Sequence, residues 1–513
     1  MRKIVGICIS MLFLICSVAS AEEYATGIVF DDSNHNLVYD EGEKGLPDVR
    51  VSNGREIVMT DQDGRYQIAV DNDTIIFIIK PRGWMTPLNE DNLPLFYYIH
   101  KPDGSPELKY GGVAPTGDLP ESINFPLYKN KELDQFKMLL FGDIQVASQA
   151  DVEYLAQDFV EELVGTDAAF GINLGDLVSN QLWLYDSLNK TTALIGIPWY
   201  SIIGNHDINF DGQSDKYSDE TFERMFGPSY YSFDYGPVHF IALDNIIWNF
   251  EKGNYSRGLS EKQLEFVKND LALVPNDQLV VLTMHSPFIR MGGLQELFDM
   301  LAEKNYTFSA SAHYHSQEHV FYSSEHGWKG REPHHHLISV TACGSFWKGA
   351  PDEFGLPHAT MSDGAPNGYS IVTFNGNRYS IEYKAARRPA DFQMSIFAPQ
   401  KVALNEAGDF QVLANIFAGS ERSKVKMRVG KDNPWIIMEK TEDEVDAYYK
   451  MQKEAEESEN PPRGRKLPDI SECQHMWKAS LPDYVQKGKH LIHVRTTDMF
   501  GHTYDGYRVI WIR

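Results

Sequence analysis

"MLLFGDIQVA", residues 138–147, runs four apolar residues into a glycine and then sets a carboxylate and an amide two residues apart, Asp143 and Gln145. A short apolar run ended by Gly-Asp reads as a buried strand that presents a polar group at its C-terminal end. The pattern recurs downstream. "AAFGINLGD" ends at Asp176, "IPWYSIIGNHD" at Asn205-His206-Asp207, "DQLVVLTMH" at His285, and "YTFSASAH" at His313, with His315 two residues on. Helical patterns lie between these runs, including "ADVEYLAQDFVEELV" and "SEKQLEFVKNDLALV". The second opens on Ser260 with Gln263 three residues later, which predicts a capping-box start. Strands alternating with helices predict an α/β layered domain over about residues 135–387.

Strand ends in such folds meet at a common rim, where ligands bind. Two carboxylates, two amides and several imidazoles at one rim form an oxygen and nitrogen donor set suited to first-row divalent metals. A lone histidine at a strand end is more often a structural residue. Several of them, each just after a β-run, are hard to attribute to chance.

The flanks read differently. Residues 22–130 alternate short apolar stretches with Gly, Asn and Asp, predicting a small all-β module that is immunoglobulin-like or transthyretin-like and carries the turn Thr60-Asp61-Gln62-Asp63-Gly64-Arg65-Tyr66. Inside it, Asp32, Asn34, Asn36, Asp40 and Glu43 fall at positions 1, 3, 5, 9 and 12 of a calcium-loop spacing, with Leu37 where glycine is usual. Calcium binding and a solvated acidic hairpin both remain open, since Asn and Asp also favour turns. Residues 398–513 predict a β-sandwich interrupted by the charged insertion "EKTEDEVDAYYKMQKEAEESENPPRGRK", read as an exposed helix or a mobile loop. Packing and positioning are the expected roles of both flanks.

Arg2 and Lys3, an apolar run and Ala19-Ser20-Ala21 have the layout of a cleaved signal peptide over residues 1–21, which predicts export to the periplasm or medium, with no second stretch able to span a membrane. Cys8 and Cys16 would leave with it, and Cys343 and Cys473 are too few for a disulfide scaffold. A net charge of −25 argues against a nucleic-acid partner.

"GDIQ", "GDLVSN", "GNHD", the histidine of "MHSP" and the paired histidines of "AHYH" together resemble the calcineurin-like metallophosphoesterase superfamily, over about residues 136–385. The flanks look like the companion domains of a secreted bacterial branch of it. The resemblance implies a dinuclear site for Mn, Fe or Zn, with Mg as a further candidate, acting on a small phosphorylated substrate, monoester or diester. Position by position, it implies Asp143, Gln145, Asp176 and His315 around one metal, with Asp176 bridging to a second held by Asn205, His285 and His313. His206, oriented by Asp207, would stand beside the phosphate as proton donor. Two divalent ions against two carboxylates leave about two positive charges, enough to attract a phosphoester to an acidic protein.

Two departures stand out. The usual "DxH" is Asp143-Ile144-Gln145, exchanging an imidazole nitrogen for a harder and weaker amide oxygen, which tilts selection toward Mn or Mg over Zn. The usual "GHxH" carries Ala312, tolerable unless its φ is positive. Ser179 stands where purple acid phosphatases place their iron-binding tyrosine, so no tyrosinate-coloured iron is expected. Trp183, Arg257 and Trp347 fall in loops near the rim and are candidate substrate contacts. His334-His335-His336 reads as a polar loop before a strand, and Cys343 as a buried small side chain. The competing functional readings are a degenerate phosphate-binding module, weakened at Gln145, and a surface interaction protein acting through its β-modules.

Overall fold

The computed structural model describes residues 23–513 apart from 407 and 409, so the signal-peptide reading lies outside the described residues. A central α/β domain carries β-rich domains at both ends. Its first sheet places Gln135–Phe141 between Phe170–Asn173 and Gly368–Asn375, with Trp199–Ser201 and Arg378–Ala385 at the edges. Its second sheet runs Tyr231–Tyr235, Val238–Ala242, Leu279–Thr283, Tyr306–Ser311, His334–Ile338, Glu318–Tyr322. Gln135–Phe141, Phe170–Asn173 and Trp199–Ser201 are mutually parallel, as are Val238–Ala242, Leu279–Thr283, Tyr306–Ser311 and His334–Ile338.

The apolar run of the opening stretch follows from burial on both faces. Met138 and Leu140 join the core that holds Phe240 and Val281, while Leu139 and Phe141 meet Val152, Leu155 and Phe159 of the covering helices. A strand covered on both sides has no polar face to alternate. The first covering helix, Gln149–Leu155, is capped by Ser148 and continues through a π-turn at Ala156–Val160. In Glu261–Ala272 the Ser260 hydroxyl accepts from the Gln263 amide at 3.2 Å, but the Gln263 side chain turns to the backbone of Asp244, so only half of the expected capping box forms.

His334–His336 correct the sequence reading: they form a buried strand, not a polar loop. Hydroxyls on the neighbouring strand give a polar strand its place in a core. His334 meets Thr307 and Ser309, His336 meets Ser309 and Ser311, and His335 meets His319 and the Tyr379 hydroxyl, all within 2.9 Å.

In the N-terminal domain, Glu23–Asp31 pairs antiparallel with Arg65–Val70 and parallel with Phe125–Lys129. The acidic loop after it closes on itself: the Asp32 carboxylate takes the amides of Asn36 and Leu37, Asp40 takes both asparagine amides, and Glu43 takes the amides of Ser33 and Asp40. The domain shares its core with the central one through Phe77 against Phe266 and Phe96 against Tyr231. Lys101 seals the junction. Its ammonium, 5 % exposed, reaches the fully buried Glu220 at 2.6 Å and Asp73 at 2.8 Å.

The C-terminal sandwich takes its first strand from Met394–Phe397, ahead of the expected start at residue 398. The charged insertion is largely exposed, carries the expected helix and is also tied to the central domain. Its helix Ala447–Ala455 is capped by Asp446 and buries Tyr449, while Arg465 reaches the Asp151 carboxylate at 2.5 Å and the Trp347 carbonyl at 2.8 Å. Lys101→Met should leave Glu220 charged and unpaired inside the junction. We expect a loss of about 3–5 kcal/mol in urea unfolding, with a smaller loss when Glu220→Gln is made in the same chain.

Candidate metal centre

Because the parallel strands run one way, their C-terminal ends deliver Asp143, Asp176, the Asn205-His206-Asp207 turn, His285 and the His313–His315 turn to one rim. Asp176, His285 and His313 each offer a donor atom within 4.8 Å of the others. His285 Nε2 lies 3.3 Å from Asp176 Oδ2, 3.1 Å from Asn205 Oδ1 and 3.1 Å from His313 Nδ1. On the other side of Asp176, His315 Nε2 faces Asp143 Oδ1 at 3.6 Å, too far for a hydrogen bond. That oxygen is buried and has no hydrogen-bond partner among the described residues.

The backbone is bent to make this arrangement. Asp143, Gln145, Asp176, His313 and His315 all have φ between 31° and 72°, a region that costs non-glycine residues about 1–3 kcal/mol each. Ala312 escapes this strain, so its replacement of glycine is harmless in this respect. Two glycines are forced by close approach. A Cβ on Gly175 would stand 2.7 Å from the His285 ring, and one on Gly204 would stand 2.1 Å from the Asp176 amide nitrogen.

Backbone carbonyls set the imidazoles. His285 Nδ1 donates to the Leu174 carbonyl at 2.9 Å and His315 Nδ1 to the Gly344 carbonyl at 2.6 Å, so both Nε2 atoms face the rim. Burial lowers the His315 imidazole to about 4. Burial and the neighbouring His285 lower His313 to about 3. Both rings are therefore neutral, as ligation requires. Burial pushes the Asp143 carboxyl up to about 8 despite the His285 charge, whereas the His285 and His206 rings overcome burial and hold Asp176 well below the usual range. Burial works against the charged form of His285, yet Asp176 raises it to about 9. A rim with an orphaned carboxylate oxygen, nitrogen and oxygen donors within 3.3 Å of His285 Nε2 and two neutral imidazoles fits divalent cations.

The remaining site residues divide. Gln145 is buried with Nε2 3.5 Å from Asp176 Oδ2 and Oε1 3.8 Å from the Cys343 thiol; half a turn of the amide exchanges the two atoms. Cys343 is fully buried. His206 is open to solvent at the mouth, its amide donating to Asp176 Oδ1 at 2.8 Å. The expectation that Asp207 orients His206 is corrected. The Asp207 carboxylate takes the amides of Leu177, Val178 and Gly204 and the Tyr185 hydroxyl, holding the Asp176 and Asn205 turns together, while His206 Nδ1 meets Asn180 Oδ1 at 2.6 Å. Asn180 sits within "GDLVSN" but nothing in its spacing marks it as the partner of His206.

Arg257 does reach the site. The hairpin Ile246–Asn249 and Asn254–Arg257 carries its guanidinium to 3.1 Å from His313 Nε2 and 2.8 Å from the Tyr314 hydroxyl, over the Tyr314 ring. Trp347 is corrected: it is fully buried and donates Nε1–H to the Ile144 carbonyl at 2.9 Å, so it cannot touch substrate. Its neighbour Phe346 lies against the His315 ring instead, with centroids 4.1 Å apart, a contact that sequence reading missed. Trp183 is exposed, and no contact joins it to the cluster among the described residues.

Residues 136–317 match the family model for calcineurin-like phosphoesterase, residues 33–110 that for the N terminal of calcineurin-like phosphoesterase, and residues 336–504 that for the C terminal. The chain is a metallophosphoesterase, a metal-dependent phosphoester hydrolase. It belongs to the calcineurin-like phosphoesterases and carries both companion domains of that family. No curated protein matches it significantly. Among solved structures, a dimetal phosphatase from Danio rerio is 13% identical, with 49% of this chain and 96% of that one covered and a TM-score of 0.34. Purple acid phosphatase PPD1 from yellow lupin (Lupinus luteus) is also 13% identical, with 66% and 67% covered and a TM-score of 0.36. No helix among the described residues is long and apolar enough to cross a membrane.

Gln145→His should raise bound metal per chain when metal is limiting, measured by elemental analysis after dialysis. Unchanged metal content would remove Gln145 from the ligand set.

Proposed function

We propose that this chain hydrolyses a small extracytoplasmic phosphomonoester or phosphodiester at a dinuclear site, with Asp143, Gln145, Asp176 and His315 holding one cation and Asp176, Asn205, His285 and His313 the other. The observation that carries this reading is the buried oxygen of Asp143, unpartnered among the described residues, in a rim of inward-facing nitrogen and oxygen donors. Such a pair, when bound, supplies Lewis-acid charge to the phosphoryl group and lowers the pKa of an attacking water. Manganese, iron and zinc suit the imidazoles, while the amide oxygens of Gln145 and Asn205 favour harder ions. Export rests on the leader read in residues 1–21.

The chain's own residues do the rest. Asn180 accepts from His206 Nδ1–H, which aims Nε2 at the open side of the rim. From the imidazolium form, Nε2 delivers its proton to the departing ester oxygen, and the ring returns to the neutral tautomer that Asn180 holds. Arg257 is an arginine with no carboxylate partner among the described residues, in a strongly acidic chain. It binds a non-bridging phosphoryl oxygen, a contact for which its planar fork of donors is suited. Phe346 walls the His315 side and limits water there.

His206→Asn should lower kcat by about 10²–10⁴ with metal content unchanged, and Asn180→Ala should cost roughly tenfold through loss of ring orientation. Arg257→Ala should raise KM several-fold more than it lowers kcat. A panel of phosphoesters assayed with Mn, Zn and Mg, with Asp176→Asn as the blank, tests the whole reading. Two bound metals and phosphate affinity without turnover would support the binding-module alternative instead.

A further inference from the structure

The C-terminal sandwich has one sheet face with an unusual surface. In the sheet formed by Ile436–Ile437, Lys424–Val429, Gly488–Thr497, Thr503–Ile512 and Lys401–Val402, side chains alternate inward and outward. The inward set, including Met427, Val429, Ile492, Val494, Ile510 and Ile512, packs into the sandwich core. The outward set follows from the register. Lys426 faces Arg495 and then Asp505, Arg428 faces His493 and then Tyr507, Leu491 faces Val509, and Lys489 faces Trp511 and then Lys401.

A water-facing sheet surface is ordinarily polar. This one leaves Ile437 86 %, Tyr507 59 % and Val509 58 % exposed, and Leu491 and Trp511 43 % each. Cations lie over its rings: Lys426 and Arg428 over Trp435 at 4.9 and 4.6 Å, and Lys489 and Arg513 over Trp511 at 5.6 and 5.0 Å. The lone carboxylate on the outward positions of the paired strands, Asp505, is engaged by Arg495 at 2.7 Å and His493 at 2.6 Å. A chain of net charge −25 thus concentrates uncompensated positive charge on one apolar-aromatic face.

We propose that this face docks the enzyme on an anionic lipid surface. Tryptophan and tyrosine beside lysine and arginine match the headgroup zone, where rings sit at the interface and cations pair with lipid phosphates. The aliphatic residues decide between an anionic membrane and an acidic polysaccharide. Ile437, Val509 and Leu491 offer little to a sugar ring but gain from contact with acyl chains. The acidic remainder of the chain is repelled by the same surface, so attraction through one face also fixes orientation. None of these residues belongs to the metal centre, and the proposal stands apart from the choice of substrate.

Flotation of the full chain with unilamellar vesicles tests it. The chain should float with phosphatidylcholine–phosphatidylglycerol vesicles at a ratio of about 3:1, not with phosphatidylcholine alone, and added salt should weaken the association. Lys426→Glu with Arg428→Glu and Lys489→Glu should lower the affinity by about 100-fold or more, with the thermal unfolding midpoint and the hydrolysis of a soluble phosphoester unchanged. Brominated lipid should quench the wild type more than Trp511→Phe. Failure to float, flotation of the triple variant like the wild type, or retention on an acidic polysaccharide with vesicles left free would overturn the proposal.

Discussion

Two carboxylates, Asp143 and Asp176, are buried at one rim with no lysine or arginine paired to either among the described residues. Burying a charge without a partner costs several kcal/mol, so the site either takes up protons or takes up cations. The electrostatics show the strain: burial pushes Asp143 toward its neutral form, and Asp176 draws His285 toward its charged one. The donor geometry is what the second state needs. Much of the surrounding construction serves to keep these two groups from turning to water or to a helix N-terminus, where they would be satisfied more cheaply.

That construction is mostly backbone. Left-handed φ values at five candidate ligands are tolerable only because neighbouring turns lock one another. The Gln145 amide donates to the Asp176 carbonyl at 2.8 Å, and the His313 amide donates to Asp143 Oδ2 at 2.7 Å. Asp207 belongs to the same frame. With its carboxylate holding the Leu177, Val178 and Gly204 amides, it fixes the Asp176 turn against the Asn205 turn. Its place next to His206 in the chain suggested a catalytic pairing; its buried position makes it a brace.

What could be read from the sequence and what could not follow from the range of the interactions. The strand ends declared themselves because apolar runs and Gly-Asp, Gly-Asn or histidine termini are local signals, and parallel strands then bring them together without further information. Asn180 and Phe346 were illegible because their partners, His206 and His315, lie across the rim and no spacing links them. The three consecutive histidines misled for a related reason. Polar residues read as a loop unless their distant partners are known to lie alongside: the serines and threonine of Tyr306–Ser311 for His334 and His336, and His319 and Tyr379 for His335. Trp347 was misplaced because the turn that exposes Phe346 inverts the next side chain, both at positive φ.

The C-terminal domain is tied to this chemistry more closely than a spacer would be. Arg465, carried on the charged insertion, holds the Trp347 carbonyl and the Asp151 carboxylate, and its own carbonyl accepts from the Gly349 amide at 2.8 Å. The turn so pinned contains Cys343 and Gly344, which touch Gln145 and His315, and Phe346, which covers His315. A glycine at 464 is required for this approach, since a Cβ there would stand 2.3 Å from the Gly349 carbonyl oxygen. The insertion therefore acts as a clamp on the wall nearest Gln145, the residue that departs from the family pattern. His315 is the imidazole on that side of the rim, and the pinned turn meets it through the Gly344 carbonyl and the Phe346 ring.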